Sequence, residues 1–261
     1  MDDRLRAKRN SYIYRSFRDV ADCDYIAARI SHRYKLFDQF LWSALQAVEK
    51  YLKTIILLYD GDTRDLSHDL VKAFRRVERI SEIHWDFEPE TNDFLDNLKV
   101  MGRDRYFTYP RGTHGQELFQ LDHVVWKLRR YCEDFHWLKK VAEENGDDRY
   151  DDYIRSLQSE DCRKKATKFR LFHKGHLEKV LDTKKFPKQR TQLVYKNFYY
   201  GSYKKHKIKW QFTVTSANPS SFLHPELYPW IIDRVKLSPE VRNDLEELFE
   251  AIPQHPGTGE S

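Results

Sequence analysis

Leu41, Leu45, Val48, Leu52 and Ile55 recur at three- and four-residue intervals. At about 100° per residue they fall within one narrow stripe. Gln46, Glu49, Lys50 and Lys53 fall on a separate face. No other pattern in the chain constrains its fold as strongly. A helical period cannot be laid down as a strand, so this segment is an amphipathic helix that buries one side. The pattern extends from about Asp24 to Tyr59, and a shorter helix ending near Arg33–Tyr34 precedes the long one.

Turn and capping residues divide the next hundred positions. Asp60-Gly61-Asp62 reads as a turn. A second helix is expected from about Ser67, a plausible N-cap, to about Ser81. Residues 88–92, Glu-Pro-Glu-Thr-Asn, break the chain before a short helix near Asp93–Met101. Gly102, Pro110, Gly112 and Gly115 mark residues 102–115 as a loop. Leu118, Leu121, Val125, Leu128, Tyr131 and Phe135 then predict one long helix from Gln116 to about Glu143. Asn145-Gly146-Asp147-Asp148 ends it, and a further helix is expected near Arg149–Gln158.

Past Arg163 the period changes. Ile208, Trp210, Phe212 and Val214 alternate with Lys209, Gln211, Thr213 and Thr215, as in a half-buried strand. Leu193–Tyr200 is rich in aromatic and branched residues. Residues 201–207 would connect the two as a β-hairpin with a cationic tip. A short acidic helix is expected near Pro239–Ala251, and residues 253–261 read as disordered.

The formal net charge of +5 conceals an asymmetry: residues 163–209 carry 16 basic side chains and 2 acidic ones. Aromatics such as Phe169, Phe172, Tyr195 and Tyr203 run through this block. Cations attract phosphate and flat rings stack on exposed bases, the combination that suits single-stranded nucleic acid. Lys164, Lys165, Lys168, Arg170 and Lys174 would contact it from the first part of the block. Lys196, Tyr199, Tyr203, Lys204, Lys205 and Lys207 would do so from the second.

Cys23, Cys132 and Cys162 are odd in number and far apart, which predicts reduced thiols rather than a disulfide framework or a zinc site. The N-terminus lacks the apolar core of a signal peptide, and charged residues interrupt the most apolar stretch, Phe37–Tyr59. The expectation is a cytoplasmic protein without a membrane span. Arg111-Gly112-Thr113-His114-Gly115 lacks P-loop spacing, and His173 and His176 have no third ligand at a suitable interval. Neither a metal nor a cofactor is expected.

Ala21-Asp22, then Asp24-Tyr25-Ile26-Ala27-Ala28-Arg29, lead to a Gln46-Ala47-Val48-Glu49-Lys50-Tyr51-Leu52-Lys53 helix. His68-Asp69-Leu70 comes after the next turn. This order, over roughly residues 15–142, resembles bacterial HEPN domains. The resemblance implies an up-down helical bundle, frequently homodimeric, and often a metal-independent endoribonuclease of a toxin–antitoxin or antiviral system. The expected fold is thus mainly α: a HEPN-like bundle over residues 1–160, a basic α+β segment with the hairpin over 161–252, and the tail over 253–261.

The family's catalytic signature is Arg followed by His after four to six residues. The guanidinium can hold a phosphate while the imidazole moves a proton. Four pairs fit here: Arg79/His84, Arg129/His136, Arg130/His136 and Arg170/His176. Chance predicts about three such matches in a chain of this composition, so context must choose among them. Arg129 and His136 are seven apart and share a face if their helix is continuous. Arg129, Arg130 and His136 are therefore the candidate catalytic residues, with RNA as the partner. The alternatives are a non-catalytic nucleotide- or nucleic-acid-binding module, and an interaction subunit that binds an acidic, antitoxin-like protein.

Overall fold

The computed structural model describes residues 2–66, 68–81, 90–103, 110–113, 116–146, 149–159, 170–203, 213–216, 225–237 and 239–250. The chain divides into two units. The first comprises residues 1–102 and 116–209, the second residues 103–115 and 210–261.

The first unit is helical and is centred on α3 (Phe37–Leu58). The stripe read from the sequence is its buried face: Leu45, Val48, Leu52 and Ile55 are fully buried. Truncating Leu45, Leu52 or Ile55 to Ala would cost about 2–5 kcal/mol. Around it stand α1 (Asp3–Ile13), α2 (Asp19–Arg33), α4 (Leu70–Glu78), α5 (Glu90–Arg103) and α6 (Glu117–Arg129). A π turn, Tyr14–Arg18, joins α1 to α2. Tyr25, Ala28, Phe74, Leu95, Leu121 and Val125 complete the same core.

α4 is shorter than expected. Asp69 caps it by accepting from the Lys72 amide at 3.0 Å. The expected cap, Ser67, lies outside the described residues. The continuous helix expected from Gln116 to Glu143 is two helices: α6 ends at Arg129, and α7 (Phe135–Asn145) restarts after a buried turn. Asp134 makes the restart possible. It leaves helical geometry and accepts from the Trp137 amide at 3.0 Å, the duty of an N-cap. Gly146, at φ 61°, ends α7 in the left-handed conformation that glycine adopts without strain. Helix α8 is Arg149–Gln158, as expected.

The expected β-hairpin does not form, because its first strand is not a strand. Leu193–Val194 closes a helix, α10 (Pro187–Val194), which opens with Pro187 in its first turn. Before it lies α9 (His176–Asp182). Tyr199 and Tyr200 sit in a turn, and their amides donate to the Asn197 side chain at 2.9 and 3.0 Å. Their rings serve the bundle core, where Trp126 stacks on Tyr199 at 5.9 Å and meets Tyr200 edge-on at 5.8 Å. The aromatic run that looked like a strand is thus packing material for a helical core.

In the second unit, residues 213–216 do form a strand, β2 (Thr213–Ser216). It pairs antiparallel with β1 (Pro110–Thr113), in the segment read as a loop. Residues 208–212 of the expected strand lie outside the described residues, and the partner of 213–216 lies about a hundred residues upstream. This unit also holds α11 (Tyr228–Arg234) and the acidic α12 (Pro239–Glu250), whose Leu245 buries against Tyr228. Residues 253–261 lie outside the described residues. No described helix is long and apolar enough to cross a membrane.

Candidate functional site

Three knots of buried charge tie the helices of the first unit together. The largest centres on Arg129 at the end of α6. Its Nε donates to Asp22 Oδ1 at 2.7 Å and its Nη2 to Asp22 Oδ2 at 2.9 Å. Its Nη1 and Nη2 also reach Glu178 at 2.7 and 2.6 Å. The planar fork of a guanidinium suits two carboxylates held edge-on in this way. Asp22 further accepts from the Tyr51 hydroxyl at 2.6 Å and the Leu177 amide at 2.9 Å. Glu178 reaches back to the Gly175 amide at 2.8 Å. Burial alone would raise the Glu178 carboxyl, but the charge and hydrogen bonds of Arg129 outweigh it and hold it down at about 2.

The second knot is Arg29–Asp122. Both side chains are buried and directly paired, and the Tyr25 hydroxyl donates to Asp122 at 2.6 Å. The Arg29 Nε also donates to the Gln192 carbonyl at 3.1 Å, and its Nη2 to the Tyr195 carbonyl. Asn197 Nδ2 donates to the Tyr25 hydroxyl at 2.9 Å. Residues 170–203 are therefore built into the bundle through α2.

The third knot occupies the turn between α6 and α7. Asp134 receives Arg6 at 2.7 and 2.8 Å, Arg9 at 3.0 Å and Asn10 at 2.9 Å, which docks α1. Burial opposes the Asp134 charge, and the Arg6 hydrogen bonds, the Trp137 amide and Asn10 together hold its carboxyl below the usual range. Its neighbour Glu133, fully buried, accepts from the Tyr14 hydroxyl at 3.1 Å and from the His173 amide at 2.9 Å. The His173 Nδ1 stands 2.9 Å from Glu133 Oε2. Arg18 Nη1 lies 3.7 Å from the other carboxylate oxygen.

The residues singled out from sequence are distributed unevenly. Arg129 is 3% exposed and committed to Asp22 and Glu178. Arg130 is 1% exposed and lies against the Trp126 and Tyr131 rings at 5.3 and 5.6 Å. His136 sits beyond the break, exposed on α7, with its ring 6.1 Å from that of Tyr59. The helix face that Arg129 and His136 were expected to share does not exist, because α6 stops at Arg129.

Of the expected nucleic-acid contacts, Lys164, Lys165, Lys168, Lys204, Lys205 and Lys207 lie outside the described residues. Arg170 and Lys174 share Asp182 at 3.3 and 3.4 Å. Tyr199 is buried, and Tyr203 stacks on Phe119 and Phe198 at 6.0 and 5.6 Å. Lys196 stands 5.5 Å from the Tyr195 ring.

Sequence reasoning missed two sets of residues. Lys184, Lys185, Lys188 and Arg190, around the start of α10, are all exposed. Among the described residues, no acidic side chain lies within ion-pair distance of these four. The buried acids Asp22, Asp122 and Glu178 were missed as well. For Asp22 the signal was present: it and Arg29 lie on the inward face of α2, beside Tyr25, Ile26 and Ala28. Among the described residues, no three His, Cys, Asp or Glu side chains converge as they would to hold a metal ion.

This bundle of long helices, cross-tied by buried ion pairs between α2, α6 and α9, coincides with a match to the HEPN domain family model over residues 14–176. The match covers more than half of the chain, and the chain belongs to the HEPN domain family. The matched region runs past the α6–α7 break into the segment carrying Glu133, His173 and Gly175. No curated protein and no solved structure matches the chain.

Proposed function

We propose that this HEPN protein interacts with single-stranded RNA through the cationic ridge at the start of α10, and that the bundle cleaves the RNA without a metal ion, as in a toxin–antitoxin or defence nuclease. The observation that carries the reading is the state of Lys184, Lys185, Lys188 and Arg190. Four exposed cations lie within seven residues, and no described carboxylate neutralises them. Like charges held together at a surface repel one another, and a polyphosphate strand relieves that repulsion by releasing its own counterions.

The test is fluorescence anisotropy of the full chain with a labelled single-stranded RNA at low and physiological salt. Binding that weakens steeply with salt supports the reading. An acidic polypeptide of matched charge density, bound more tightly than the RNA, would turn the ridge into a docking site for an acidic protein.

A further inference from the structure

We infer that His173, held by Glu133, is the acid–base group that acts on RNA bound to this face; the inference rests on the RNA reading above. The π turn is the starting point. Its wider winding brings Tyr14 and Arg18 inward together, both buried, so that a phenol and a guanidinium face Glu133. Glu133 is itself fully buried at the α6–α7 turn. It grips His173 at two points, the backbone amide and Nδ1, each at 2.9 Å. The imidazole stacks on the Tyr14 ring at 5.2 Å, so its plane is fixed as well.

Yet the His173 side chain remains 39% exposed. A neutral histidine whose Nδ1 is bound to a buried carboxylate has a defined tautomer. Nδ1–H donates to Glu133, which leaves Nε2 as the ring's acceptor. That is the state a general base requires. The flanking residues suit a nucleotide: Phe172 exposes a ring 5.4 Å from the imidazole, and the Lys174 side chain is exposed beside its partner Asp182. The chain then runs directly into α9 and the cationic ridge.

The reaction that one oriented imidazole can drive on RNA is internal transesterification. His173 Nε2 takes the proton of a 2′-hydroxyl. The 2′-oxygen forms a bond to the adjacent phosphorus, and the bond from phosphorus to the 5′-oxygen breaks. The leaving oxygen acquires a proton from the imidazolium or from water, which the imidazolium then replenishes. The products are a 2′,3′-cyclic phosphate and a 5′-hydroxyl, and no water, metal or oxidant is consumed. Glu133 is a positioning residue in this scheme.

The experiment uses the full chain, a labelled single-stranded RNA and EDTA, and reads binding by anisotropy and cleavage by gel. His173→Asn, whose amide can still donate to Glu133, should bind RNA as the parent does and cleave it on the order of 100-fold more slowly. Imidazole added to His173→Gly should restore part of the rate. Glu133→Gln should lower kcat with KM unchanged. Cyclic-phosphate ends should disappear with His173 and persist in His136→Ala. The inference is overturned if the parent chain binds RNA and leaves it intact, if His173→Asn cuts as fast as the parent, or if the loss tracks His136 instead. Absence of RNA binding by the parent removes the RNA reading itself, and the inference with it.

Discussion

Gly175 passes so close to Arg129 that a β-carbon on it would stand 2.8 Å from the guanidinium Nη2. The same carbon would be 3.0 Å from Asp22 Oδ2 and 3.1 Å from Arg18 Nε. The backbone here is ordinary, at φ −91°, so the glycine is required by proximity and not by conformation. Gly175→Ala should therefore cost about 1–3 kcal/mol, because an ion-paired guanidinium cannot step aside without losing a partner. Gly146 gives the contrast. It has open space around it but a φ of +61°, so Gly146→Ala should cost about 1 kcal/mol, from backbone strain alone. Urea midpoints of the two variants separate these causes; equal, negligible shifts would remove the close contact as an explanation.

Replacing Arg129 by Met should destabilise the bundle by about 3–5 kcal/mol, because Asp22 and Glu178 would face each other buried and uncompensated. Arg129→Lys should recover little, since one ammonium cannot serve two carboxylates along their edges. Thermal unfolding of the two variants checks this. A lysine variant as stable as the parent would show that charge alone, without the fork, suffices.

The acid limb of stability should carry the signature of Glu178. Its carboxyl is held at about 2, below the ordinary 4.5, so the ionised form is the one the fold prefers. The contribution is present above pH 4.5 and is lost as pH falls toward 2; it is on the order of 3 kcal/mol. Glu178→Gln should be less stable than the parent at pH 7, and the two curves should converge by about pH 2. Parallel curves across that range would contradict the assignment.

His32 should act in a higher window. It packs edge-on against Phe37 and Phe40 at 5.7 and 5.0 Å. Burial lowers its pKa from 6.5 to about 4; Glu117 opposes this, and the positive charges of Arg29 and Lys196 add to it. The fold prefers the neutral ring while the unfolded chain accepts the proton first. Stability should thus fall by about 3 kcal/mol as pH drops from 6.5 to 4, and then level off. His32→Gln should flatten that step, as read by urea titrations at closely spaced pH values.

On the cationic ridge, Lys184→Glu with Lys188→Glu should weaken RNA binding at every sequence alike. Each cation that meets a phosphate contributes about 0.7 to the salt slope on single strands, so the slope should fall by about 1.4 for this pair. Both side chains are exposed, and no described carboxylate pairs with them, so the melting temperature should hardly move. An unchanged slope would place the RNA elsewhere.

Helices were legible where their causes are local. The α3 stripe, the Gly146 terminator and the bounds of α8 come from periodicity and capping, which act over a few residues. So does the family resemblance, whose quoted residues lie on α2, α3 and the start of α4. The α6–α7 break was not legible. Asp134 leaves its helix to collect Arg6, Arg9 and Asn10 from over a hundred residues upstream, and no local rule weighs such partners. The missing hairpin has the same origin: Leu193, Tyr199 and Tyr200 are strand-like in composition, but the bundle core against Trp126 takes their burial.

By itself the sequence determined that the chain is helical in its first half, which face of α3 is buried, and that residues 163–209 form a basic block. Only the tertiary structure decided that Arg129 is consumed by Asp22 and Glu178, while His173 stays oriented and half open. A side chain's chemistry is written in its residue type. Whether it meets a carboxylate or solvent depends on contacts between α2, α6 and α9, made across more than a hundred positions.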